Sequence, residues 1–471
     1  MGRALARLVT HIRGRAYGNR VIGLHVCTGY TGEWQSWGLW DNRRGDFSPA
    51  AVREWRGWLK GRYRDNQGLQ AAWNRKNVSL ETAAIPERSR REGQGPRLLR
   101  HAAEYQDVID FYRFYPELVA DSIIELASRA KTAGDGQPLI GVFYGYALQC
   151  GARAQESQHL ALDRILACPH IDFLCSPGMY SFRAPGEAST FMSATGSVNL
   201  HGKLWFHEAD NRTHLVAKGT GFEQVCPAKD LAETRAVLWR EFGHCMQRAA
   251  PLWWFDMGGG WYDDPAILAD FARMSQLTAP LLIEEPDRLP PPRIFVIHGY
   301  RSYPRQQPEH GFLTVSTVNQ VSTLAQVGSP SEVYLLSGLD RVVRTVPPGP
   351  KVFLFINCAD LTDTDRTRIV ALKRDGNILV FVHAAGLGRV DNQADVTESI
   401  TAMSDLLGMV SRSRSSLFAR MPDSRRRMCS RVSPTCRSGL VSRGRLPLRS
   451  VAWTRPCRPS RGTLMGAPPR W

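Results

Sequence analysis

Lys203-Leu-Trp-Phe-His-Glu-Ala-Asp-Asn-Arg-Thr-His-Leu215 is an apolar run that ends on a carboxylate and a cluster of hydrogen-bonding side chains. Leu204, Trp205 and Phe206 predict a strand enclosed on both faces, as parallel strands are. Glu208 then stands at the strand's carboxyl end, where barrels of alternating strands and helices collect catalytic groups. The stretch Val21-Ile-Gly-Leu-His-Val26, running into Thr28-Gly-Tyr-Thr-Gly-Glu33-Trp34, has the same form. The plain alternative is that each glutamate merely ends a strand in solvent. The aromatic neighbours Tyr30, Trp34, Trp37 and Trp205 argue against it.

Outward from these two stretches the chain alternates strands and helices. Leu5, Leu8, Val9 and Ile12 recur at helical spacing, and Ser48-Pro49 opens a helix carried by Val52, Trp55, Trp58 and Leu59. Residues 77–95 are polar without a sustained period and read as an exposed insertion or active-site loop. A long amphipathic helix is predicted over 103–130. Further strands follow near residues 142, 173, 205 and 254, and the first two intervals of about 31 residues each match one strand-helix unit of a parallel sheet. Pro265–Met274 gives a closing helix. The acid- and proline-rich residues 284–292 read as a linker. Beyond them four short β runs begin near Ile294, Val333, Val352 and Ile378, an open α/β domain whose helix from Asp363 ends at Gly376.

The net charge of +16 is unevenly spread. Residues 411–471 hold 15 Arg, no Lys and one Asp, so they carry +14 and leave +2 for residues 1–410. The basic signal belongs to the tail alone, which reads as a disordered and non-native end; a nucleic-acid arm is the alternative. The ten Cys form no C-x-x-C pair and no zinc-type spacing with His, so no cofactor or metal is expected and a reduced compartment is. No apolar run approaches the ~20 residues that span a bilayer, and no signal segment opens the chain. The expectation is a soluble, cytoplasmic protein without membrane or specific nucleic-acid partners.

Two carboxylates on one barrel face can cleave a glycosidic bond, one protonating the leaving oxygen while the other attacks the anomeric carbon, at a separation of about 5–5.5 Å in retaining enzymes. At this point the sequence resembles glycoside hydrolase family 42, the β-galactosidase-like enzymes. The match rests on Gly29-Tyr-Thr-Gly-Glu33-Trp34, Ser176-Pro-Gly-Met-Tyr180, Trp205-Phe-His-Glu208-Ala-Asp-Asn-Arg-Thr-His214 and Trp254-Phe-Asp-Met-Gly-Gly-Gly-Trp261-Tyr262. The resemblance implies a (β/α)8 catalytic barrel over residues 1–280, of which strands four to eight are present and the first three are absent. It further implies a linker over 281–292, a flavodoxin-like or glutamine-amidotransferase-like domain over 293–410 that supports homo-oligomers, and the tail over 411–471.

By position, Glu33 becomes the general acid/base and Glu208 the nucleophile. Tyr180 orients Glu208, Trp254 floors the sugar subsite, Gly32 and Trp34 contact the sugar beside the acid/base, and Asp210 and His214 hold the loop or touch substrate. The substrate class is a β-galactoside-like carbohydrate. Gly32 stands where the family has Asn, so the hydroxyl contact made by that amide is missing. Two other readings compete. Cys358 sits in Asn-Cys-Ala-Asp, unlike a glycine-flanked nucleophile elbow, which disfavours an amidotransferase. A non-catalytic sugar-binding or assembly protein derived from such an enzyme is the remaining alternative.

Overall fold

Five short strands pair side by side, all parallel and in chain order: β1 (Gly23–His25), β2 (Leu139–Phe143), β3 (Phe173–Pro177), β4 (Leu204–Ala209) and β5 (Leu252–Trp254). The computed structural model describes residues 1–409 apart from 37, 40–44, 93–97, 223–227, 282–290, 308–310 and 392–395. The expected linker therefore lies largely outside the described residues, and the arginine-rich tail wholly so. The described residues all belong to one compact unit.

The five-stranded sheet is curved. In a flat sheet with strands about 4.8 Å apart, β2 and β5 would lie roughly 14 Å from each other, yet the rings of Phe143 and Trp253 approach to 6.5 Å between centroids. Across two strands, His25 Nε2 comes within 3.2 Å of Cys175 Sγ. The concave face carries His25, Phe143, Phe206 and Trp253; His25 meets Phe143 and Phe206 meets Trp253 edge to face, and Phe143 meets Trp253 at a tilt. Side chains alternate along a strand, so Glu208 shares the concave face with Phe206. Trp205 and His207 turn the other way, both against Phe191. Among the described residues β1 and β5 each have a single neighbour, and the sheet is a half-barrel.

Helices cover the convex face. The first helix, Gly2–Arg13, packs on the long helix Ala102–Ala133, and both fall where helical spacing predicts them. Ser48 caps the helix Pro49–Tyr63, its hydroxyl accepting from the Ala51 amide with Pro49 in the first turn. The stretch after residue 77 departs from expectation. Leu80, Ala83 and Ile85 are buried against Trp55, Trp73 and Phe111. Arg91 is 1% exposed in an ion pair with Glu156, which also accepts the Tyr112 hydroxyl at 2.5 Å. This stretch is a packed wall, not an exposed loop; residues 93–97 fall outside the described residues.

Past the linker lies a second parallel sheet. Strands β6 (Ile294–His298), β7 (Ser331–Leu335), β8 (Val352–Ile356) and β10 (Ile378–Phe381) stand in the order β10-β8-β6-β7. The helix Asp363–Val370 is opened by a reciprocal cap between Thr362 and Asp365 and ends before Gly376, short of the predicted stop. A small three-stranded sheet, β9 (Asp360–Thr362), β11 (Gly388–Val390) and β12 (Val396–Glu398), was not foreseen from the sequence. Its strands are three residues each and partly polar, too short for a period to register. No described helix is long and apolar enough to cross a membrane.

Candidate active site

The chain leaving β1 reverses on itself to present Glu33. Val26 continues the pairing with the Gly141 carbonyl at 2.9 Å; the Trp34 amide then returns to Thr28 at 2.8 Å, and the Tyr30 amide reaches Gln35 at 3.0 Å. That reversal needs left-handed backbone: Gly29 has φ +76°, and a Cβ there would lie 2.5 Å from the Gln35 carbonyl oxygen. Gly32 also has positive φ, +81°. Trp34 anchors the turn. Its indole is 4% exposed in the main core and donates to the Val26 carbonyl at 2.8 Å. This corrects its reading as a sugar contact, because its ring is spent on packing.

The Glu33 carboxylate accepts from two hydroxyls, Tyr146 at 3.0 Å and the neighbouring Thr31. Burial pushes its pKa up; the Thr31 and Tyr146 hydrogen bonds oppose that, and the negative charge of Asp210 adds to it. Its backbone carbonyl is 2.9 Å from His159 Nε2.

Glu208 ends β4, opposite Pro177 of β3 and Trp253 of β5. It is 7% exposed, and among the described residues nothing donates a hydrogen bond to its carboxylate. Burial raises its pKa to about 8, helped by the charges of Asp210 and Glu33 and opposed by Arg183 and Arg212. The effect of Glu33 on Glu208 puts the two glutamates within electrostatic reach of each other. Among the described residues both hydroxyl donors go to Glu33 and none to Glu208, so Glu33 is the easier of the two to ionise. That order is the reverse of the roles implied by the resemblance.

Asp210, two residues on, is fully buried and saturated. It accepts from the Tyr180 hydroxyl at 2.9 Å, Arg183 at 2.7 Å and Arg212 at 2.5 Å. Burial alone would raise its pKa, but the two guanidinium groups outweigh it and hold the group ionised. Tyr180 is thus spent on Asp210, a correction to its expected contact with Glu208. The Tyr180 ring also carries Arg183 at 4.4 Å and Arg212 at 5.4 Å from its centroid.

Two more of the expected residues sit elsewhere. Trp254 stacks on Phe271 of the outer helix Pro265–Ala279, with centroids 4.3 Å apart and planes 12° off parallel. It faces away from the concavity, so it floors no subsite; its neighbour Trp253 occupies the concave face. His214 bonds Thr234 through Nδ1 at 2.9 Å and through its amide at 3.1 Å, tying the loop after β4 to the helix Leu231–Gln247. His207 Nε2 lies 3.3 Å from Glu241 on the convex side. Trp37 and Trp40 lie outside the described residues.

Tyr146, His159 and Arg183 belong to the site and were missed in the sequence. Each comes from a loop after another strand, and the only local sign was the Phe143-Tyr-Gly-Tyr146 run at the end of β2. Beside the second sheet the Cys358 thiol is buried against the Ile297 and Ile356 carbonyls, and burial pushes its pKa up, which disfavours the thiolate that a nucleophile needs. A cavity of about 520 Å³ lies at the carboxyl end of the second sheet, lined by Arg113, His298, Arg301 and Asp365 among others. Neither Glu33 nor Glu208 lines it.

No protein-family model matches the chain, and no curated protein matches its sequence. Solved structures do. A β-galactosidase from the Antarctic haloarchaeon Halorubrum lacusprofundi matches with a TM-score of 0.55 at 16% identity, covering 86% of this chain and 59% of that one. The β-galactosidase of Rahnella sp. R3 gives 0.54 at 13%, covering 84% and 55%. A catalytic mutant of a GH42 β-galactosidase from G. stearothermophilus gives 0.53 at 10%, covering 83% and 56%. The chain spans somewhat over half the length of these enzymes. Its half-barrel and second parallel sheet together have the fold of the glycoside hydrolase family 42 β-galactosidases.

Proposed function

We propose that the chain is built for retaining hydrolysis of β-galactosides or closely related O-glycosides, with Glu208 as nucleophile and Glu33 as general acid/base. The observation that carries this reading is the pair itself: a half-buried and a buried carboxylate, delivered by β1 and β4 to one end of a concave aromatic sheet, both with pKa raised by burial and with the charge of Glu33 felt at Glu208. Glu33 protonates the leaving oxygen in the first step and deprotonates water in the second, while Glu208 carries the sugar between them. The fold likeness supports a carbohydrate substrate, and the buried tetrad of Tyr180, Arg183, Asp210 and Arg212 fixes one negative and two positive charges beside Glu208. The second domain is read as flavodoxin-like and as the site of self-association.

The test is turnover of aryl β-galactosides by the full chain. Glu208→Ala is expected to abolish it, and Glu33→Ala to slow it by about 10²–10⁴ for poor leaving groups. Wild-type rates in both variants would overturn the assignment. One observation favours the second reading, a sugar-binding protein without turnover: Glu208 has no hydrogen-bond donor among the described residues and is held largely neutral. Galactose binding without hydrolysis by the wild-type chain would decide for it.

A further inference from the structure

His159 is fully buried, belongs to none of the motifs above, and makes every bond its ring allows. Its Nδ1 faces two backbone amides, Gly145 at 3.2 Å and Tyr146 at 3.1 Å. Amides only donate, so Nδ1 must accept, and the proton must sit on Nε2. Nε2 in turn lies 2.9 Å from the Glu33 carbonyl oxygen, which only accepts. The tautomer is thus dictated by partners on both sides. Burial keeps the ring neutral, with a pKa lowered to about 3.

The ring is locked by its surroundings. Tyr144 stacks on it at 4.7 Å and Tyr146 meets it edge-on at 4.6 Å. The Tyr144 hydroxyl donates to the Gln158 carbonyl at 2.8 Å and pins the segment that carries the imidazole. The Tyr146 side chain closes the circuit by donating to the Glu33 carboxylate at 3.0 Å. One neutral imidazole therefore fixes both the backbone that holds Glu33 and the backbone that holds the hydroxyl bonded to it.

We propose that His159 is a positioning residue for the general acid/base, acting as an Nε2–H clamp that joins the Glu33 turn to the Gly145–Tyr146 turn. The proposal rests on the reading of Glu33 as acid/base for its catalytic consequence, though not for the clamp itself. A displacement of about 1 Å in a reacting group can cost on the order of 10²-fold in rate.

Two arms test it on the full chain. In the first, nitrogen NMR of histidine-labelled wild type, with His159 assigned from its pairing with Gln158, reads the tautomer. The clamp predicts a neutral Nε2–H ring coupled across its hydrogen bond to the Glu33 carbonyl carbon; an Nδ1–H or a cationic ring at pH 7 overturns it. This arm needs no turnover, so a chain that fails to hydrolyse galactosides sinks the functional reading and still decides the clamp.

The second arm compares kcat/KM for phenyl and dinitrophenyl β-galactoside. His159→Asn keeps an acceptor for the two amides and loses the donor to Glu33. His159→Gln places its amide nearer Glu33 and keeps that donor. Asn is expected to lose about 10–100-fold on the phenyl substrate and little on the dinitrophenyl one, whose leaving group needs no acid, with Gln recovering part of the loss. Equal losses on both substrates, or no loss, with Glu33→Gln still impaired, would refute a positioning role.

Discussion

Replacing Asp210 by Asn removes one negative charge next to Glu208 and leaves Arg183 and Arg212 in place, 2% and 5% exposed at their side chains. Two residues along an extended chain are separated by about 7 Å. With an effective dielectric of about 20, one unit charge at that distance is worth roughly 332/(20 × 7), or about 2.4 kcal/mol, somewhat under two pKa units. Asp210 raises the Glu208 pKa, so its loss lowers it, from about 8 in the wild type toward about 6. The assay is the pH dependence of the Glu208 side-chain carboxyl carbon by NMR, identified by its disappearance in Glu208→Gln. Loss of charge from a buried pair also costs stability, on the order of 3–5 kcal/mol when the pair is broken outright, so urea unfolding must first show the variant folded. A Glu208 pKa that stays near 8, or rises, would refute the claim that the Asp210 charge adds to burial in raising the pKa of this carboxyl.

Three further outcomes are expected. The Glu208 carboxyl binds its proton more tightly folded than unfolded, so the stability it confers is present below about pH 4.5 and is lost as pH rises toward 8. Glu208→Gln should therefore melt higher than wild type at pH 9, with the gap closing near pH 4.5; a gap that widens in acid would reverse the argument. Glu156→Gln removes the carboxylate charge paired with Arg91, which is 1% exposed, and should cost about 3–5 kcal/mol, read as a lowered urea midpoint. Trp254→Ala deletes a stack on Phe271 and should destabilise the fold by roughly 3–5 kcal/mol while leaving KM for aryl galactosides unchanged. A raised KM at unchanged stability would return Trp254 to the sugar site.

The five strands of the half-barrel were legible because each is an apolar run ended by Gly, Pro or an acid, and their spacing repeats. Both glutamates were legible for the same reason: each follows such a run. Aromatic roles were not. Trp34, Trp253 and Trp254 all flank strand ends, but which face each presents depends on the parity of the strand and on the turn after it, and a one-residue difference sends Trp253 to the concavity and Trp254 to the outer helix. The partners of the carboxylates were hidden for a different reason. Tyr146 and His159 reach Glu33 from 113 and 126 residues away, through bonds that leave no local period. The stretch after residue 77 looked exposed because it is polar and aperiodic, yet its few apolar side chains and Arg91 are buried. A buried ion pair reads as surface in any pattern based on hydropathy.

The central claim is that Glu208 carries the sugar. The most direct measurement is mass spectrometry of peptides from the chain after incubation with a 2-deoxy-2-fluoro-β-galactosyl dinitrophenolate, whose fluorine slows release of the covalent intermediate more than its formation. The account predicts one added fluorogalactosyl group, located on Glu208 and absent in Glu208→Gln. A label on Glu33 or another residue, or free turnover of galactosides by a chain that never becomes labelled, would contradict it.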